Sequence, residues 1–118
     1  MANPRRGEIA AILDGRPRTL VLTLGALAEL EAAFGAADLM ALAERFARGR
    51  LSALDAARII AAGLNGAGET VSLDEVAAMR AEGGAAGFAR IVAALLAATF
   101  GAGEADGDPA RPSGPQAP

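Results

Sequence analysis

Arginine and the carboxylates are the only ionisable side chains in this 118-residue sequence, with 11 basic residues, all arginine, and 14 Asp and Glu. There is no histidine, cysteine, lysine or tyrosine. Ser–His and Cys–His nucleophilic arrangements and a HExxH zinc site are thereby excluded. So are a disulfide, a thiolate metal site and a Walker A loop, which needs lysine. Among the carboxylates, Glu29 and Glu31 lie two apart in a helical pattern and do not share a face. Asp74 and Glu75 fall in a first helical turn, where acids favour the helix dipole. No DxDxDG loop occurs, and a metal site built from carboxylates alone stays open.

Glycine clusters could hold an anion, but their spacing does not ask for one. Gly63 to Gly68, GLNGAG, has neither GxGxxG spacing nor a preceding strand. Gly83, Gly84 and Gly87 stand at the start of a helix, where free N–H groups could bind an anion; a helix–helix turn is the plainer reading. No catalytic, cofactor-binding or metal-binding residue is assigned, and the chain is expected not to be an enzyme.

Two groups of residues remain as candidates for protein contact. Arg45, Arg48 and Arg50 cluster where one helix ends and the next begins. That geometry admits a helix-turn-helix, but the net charge of -3 and the lack of Asn or Gln readers on the following helix oppose DNA binding. The second group is Arg18, Leu20, Val21 and Leu22, on a strand whose unpaired edge could accept a partner strand.

The elements that position these groups follow from periodicity. Glu8 to Leu13 and Arg18 to Leu24 flank Asp14-Gly15-Arg16-Pro17, and Asp-Gly supplies the positive φ angles of a hairpin turn. Ile9, Ala11 and Leu13 should face the core with Leu20, Leu22 and Leu24. Five helices follow. The first, about Gly25 to Phe34, carries Leu27, Leu30 and Phe34 and ends at Gly35. The second starts at Asp38, presents Leu39, Leu42 and Phe46, and closes at Gly49. The third starts at Ser52 with Asp55 three residues on, buries Leu54, Ala57, Ile60 or Ala61, and Leu64, and breaks at Gly63 to Gly68. The fourth has a Ser72–Glu75 capping box, carries Leu73, Val76 and Met79, and stops at Gly83-Gly84. The fifth, about Ala85 to Phe100, has the widest apolar stripe and is expected at the centre of the bundle.

The fold class is therefore mainly α: an N-terminal β-hairpin, then a small bundle of about five short helices. Residues 1–7 read as a flexible arm, 8–100 as one hairpin-plus-helix domain, and 101–118 as a disordered Gly/Pro/Ala/Asp-rich tail without a large apolar residue. Alanine supplies much of the 53% hydrophobic content, so the core is thin and part of the apolar surface is expected to meet partners. The N-terminus lacks the apolar segment of a secretory signal. The run Ile91 to Phe100 is too short to cross a bilayer.

Several blocks carry a resemblance: Gly7-Glu8, Asp14-Gly15-Arg16, Leu22 to Glu31 (LTLGALAELE), Phe34-Gly35, Ala62-Gly63-Leu64 and Leu95-Leu96. Over about Asn3 to Phe100 the chain resembles a family from gene transfer agents and related tailed phages. That family is known as a tail tube protein and is grouped with tail assembly chaperones. The resemblance implies a non-enzymatic, cytoplasmic helper without cofactors. It would bind the tape measure protein and keep it soluble while tail tube protein polymerises around it, with self-association left open. Two alternatives stand beside it: a structural tail tube or tail completion subunit, retained in the particle, and a small helical DNA-binding regulator. Tail tubes close rings through β-rich folds, and this sequence offers one hairpin.

Overall fold

A computed structural model describes residues 6–48 and 51–101. Residues 1–5 of the expected arm, Gly49, Arg50 and the expected tail from Ala102 onward lie outside the described residues. The chain order is β1 (Glu8–Leu13), β2 (Arg16–Val21), α1 (Leu24–Phe34), α2 (Leu39–Ala47), α3 (Ala53–Gly66), α4 (Leu73–Ala77) and α5 (Gly84–Phe100).

β1 and β2 pair antiparallel in the register Leu13 with Arg16 through Glu8 with Val21. The turn is shorter than the four residues expected, because Asp14 (φ 55°) and Gly15 (φ 74°) complete it alone. Two left-handed residues match the twist of the strands, so β2 begins at Arg16. In this register alternate pairs exchange their hydrogen bonds, starting with Leu13 and Arg16. Pro17, which has no N–H, falls at a position whose backbone groups face away from β1.

β2 also ends earlier than expected, because Thr23 caps α1. Its Oγ1 accepts a hydrogen bond from the Ala26 N–H at 3.1 Å. Leu24 becomes the first helical residue and is 75% exposed, not part of the strand's core face. Asp38 caps α2, accepting from the Ala41 N–H at 2.9 Å. Ser52 with Asp55 and Ser72 with Glu75 form reciprocal capping boxes on α3 and α4.

α3 does not break at Gly63. It runs on to Gly66 because both glycines are sites of close approach. A Cβ on Gly63 would lie 2.8 Å from Leu95 Cδ2 and 3.1 Å from Leu20 Cβ. A Cβ on Gly66 would collide with the Val21 carbonyl oxygen. The missing side chains let α3 press against β2 and α5 at once. α3, not α5, is accordingly the central helix. Ile59 to Leu64 are all buried, whereas α5 buries only Gly87, Val92 and Leu95. Leu54 and Leu39, expected inside, are 52% and 40% exposed.

α4 stops at Ala77, well before Gly83, because the following backbone is taken up by the hairpin. The Asp14 N–H donates to the Arg80 carbonyl at 2.8 Å, and the Arg80 N–H donates to Asp14 Oδ1 at 2.9 Å. Leu13 and Ala81 form an antiparallel bridge. Asn65 secures the loop before α4. Its Nδ2 donates to the Ala61 and Val71 carbonyls, and its Oδ1 accepts from the Val71 N–H at 3.0 Å. Phe46 joins α2 to its neighbours, with its ring edge-on to Phe34 at 5.5 Å and tilted against Phe100 at 6.4 Å.

Replacing Gly66 with alanine is expected to lower stability by about 1–3 kcal/mol, although alanine is the better helix former. A urea midpoint equal to or above that of the wild type would contradict this contact. Asn65→Ala should cost about 1 kcal/mol, with faster hydrogen exchange at the Val71 amide.

Candidate partner-binding surface

The hairpin turns one face to the helices and the other to solvent. Leu20 (0% exposed) and Leu22 (7%) both point inward and belong to the core. A partner cannot reach them in this fold. Arg18 shares the inward face and is drawn into the protein. Its Nη1 meets Glu69 Oε1 at 2.6 Å, its side chain is 10% exposed, and its Nε is buried without a hydrogen-bond partner. Alternation along β2 signalled the burial of the leucines. The pairing of Arg18 with a loop 51 residues away left no trace in local sequence.

Val21 is half-buried at the outer edge of β2. Its backbone groups face away from β1, yet the end of α3 sits against its carbonyl at Gly66. Pro17 removes an N–H near the other end of the same edge. The tip of the β1 edge is occupied by Arg80 and Ala81. Strand addition is thus confined to short central stretches of either edge.

The arginines of α2 are placed differently. Arg45 is exposed, and its guanidinium carbon stands 4.9 Å from the centre of the Phe34 ring, a cation–π contact. Arg48 is exposed and forms the C-cap of α2. Arg50 lies outside the described residues. Arg45 and Arg48 thus lie on the outer surface of α2, on a different element from the strand residues. Among the described residues there is also no group of three or more carboxylates able to hold a metal ion.

A wide concave surface lies elsewhere. An open groove of about 770 Å³ lies between α3 and α5. Leu54, Ala57 and Ile60 line it from α3, and Phe88, Val92 and Leu96 from α5. Phe46 of α2 and Val76 of α4 complete the lining, and no charged side chain contributes to it. Leu54 projects at the lip. A bundle that filled its own core would leave no such opening. Periodicity marked Leu54, Phe88 and Leu96 as apolar stripe residues. It did not reveal that they line one groove, which depends on the packing of two elements far apart in sequence. A second, shallow depression of about 210 Å³ between Glu29, Arg58 and Asn65 is small for a ligand site.

No helix among the described residues is long and apolar enough to cross a membrane. No curated protein and no solved structure matches the chain. The family model described as "Phage tail tube protein, GTA-gp10" matches residues 6–102, which span the hairpin, all five helices and the groove. The chain therefore belongs to this phage and gene transfer agent tail family.

Proposed function

We propose that the protein is a tail assembly chaperone, which binds the tape measure protein during polymerisation of the tail tube and catalyses no reaction. The observation that carries this reading is the uncharged groove between α3 and α5, an apolar surface left open on a small helical domain. Such surfaces mark contact with another protein more often than chance packing defects do. A chaperone needs apolar surface that it can offer and then withdraw. A tube subunit instead needs strands that continue from one copy to the next, and the described residues hold a single two-stranded sheet with both edges partly covered. The absence of histidine, cysteine and lysine from the sequence agrees with a binding role. The working compartment in this proposal is the cytoplasm, where tails assemble.

A second reading, a structural subunit of the tube, is favoured by the family's own description. One pair of measurements separates the two. Quantitative mass spectrometry of purified particles is expected to find the protein absent or far below the copy number of the tube subunit. Deletion of its gene is expected to stop tail formation and leave the tape measure protein in the insoluble fraction. A copy number that is a multiple of the tail symmetry would establish the structural reading instead.

A further inference from the structure

We propose that the groove between α3 and α5 receives a single amphipathic α-helix of a partner tail protein, whose large aliphatic side chains enter it at i, i+4 spacing. For the identity of the partner, the inference rests on the chaperone reading; for the place and shape of the contact, it rests on the groove itself. Ala85, Ala89 and Ala93 follow one another at i, i+4 and i+8 along α5, and Ala53 and Ala57 do so on α3. The larger Leu54, Phe88 and Leu96 line the same groove. Small residues let a third helix axis approach to roughly 8–10 Å, the spacing of packed helices. Docking of an apolar helical face in a hydrophobic groove is an established mode of recognition.

The segment after Gly101 is a poor occupant. Residues 102–118 follow Gly101, just beyond Phe100, whose ring packs on the groove residue Phe46. They contain no Val, Ile, Leu, Met or aromatic residue and carry Glu104, Asp106, Asp108 and Arg111. An uncharged lining offers such a segment nothing to hold. A second copy fits no better. The exposed large apolar residues among those described are Ile12, Leu24, Leu39, Met40 and Leu54. No helix carries two of them three or four residues apart, so a second copy offers no ridge. Two copies placed groove to groove would join two concave surfaces and leave a void between them.

Incorporation of the photo-crosslinker p-benzoylphenylalanine in place of Leu54, in cells assembling tails, tests this. The same probe in place of Met40, which is 73% exposed and outside the groove, is the control. The Leu54 probe is expected to form an adduct with another tail protein, at a segment with apolar residues at i, i+4 spacing. The yield should exceed that of the Met40 probe at least tenfold. Adding Ala89→Glu or Ala93→Arg, both at exposed positions, should lower the yield at least tenfold while far-UV helicity is unchanged. An adduct only with a second copy, equal yields from both probes, or insensitivity to both charges would overturn the inference. Capture of the tape measure protein by the Met40 probe alone would also overturn it, yet would preserve the chaperone reading. Capture of the tube protein by the Leu54 probe would support the groove and count against tape-measure binding.

Discussion

The close contact of α3 with β2 and α5, made possible by two missing side chains, governs the rest of this fold. Gly63 admits Leu20 from the hairpin and Leu95 from α5 to the same point on the helix. Three residues later Gly66 brings the helix backbone against the end of β2. A two-stranded hairpin is marginal on its own. Here its inward side chains, Leu13 and Leu20 among them, are sealed because α3 comes so near. The same approach fixes where α5 meets α3, at Leu95. The groove opens further towards the start of α3, where Ala53, Ala57 and Ile60 line it.

Local signals in the sequence were faithful to local structure. Asp38, Ser52 and Ser72 mark helix starts because each cap is completed within three residues, by a neighbour equally visible in sequence. Gly35 and the Asp14-Gly15 pair likewise act through their own φ angles. Where meaning depends on a distant partner, sequence misleads. Gly63 and Gly66 read as breakers because glycine disfavours a helix interior. In the structure their value is the room they give to another element, and that gain outweighs the propensity. Met79 reads as helix by its spacing from Val76, but the hairpin tip claims the neighbouring Arg80 backbone for pairing. The hydrophobicity of α5 suggested a central position. Burial follows the number of neighbours, and α3 has more of them.

The candidate site was visible only as composition. An excess of apolar stripe over available core says that some surface is left for a partner, without saying which. Leu20 and Leu22 drew notice as a strand face and proved to be core. Leu54 drew notice as core and stands at the lip of the groove. Both reversals have one cause: the inward face of an element is defined by what packs on it, and along the groove α3 is left partly uncovered by the other described elements.

The tether between Asp14 and Arg80 has a further consequence, for the order in which the protein folds. The hairpin is synthesised first, yet its tip is secured by backbone 66 residues downstream, and its inward face is covered by helices completed only at Phe100. Closing so long a loop is entropically costly before other contacts reward it. The hairpin, first of the described elements along the chain, therefore has its full set of native contacts only once the last is in place. A truncated chain lacking α5 would lose part of that cover, so a fully covered hairpin requires the whole domain.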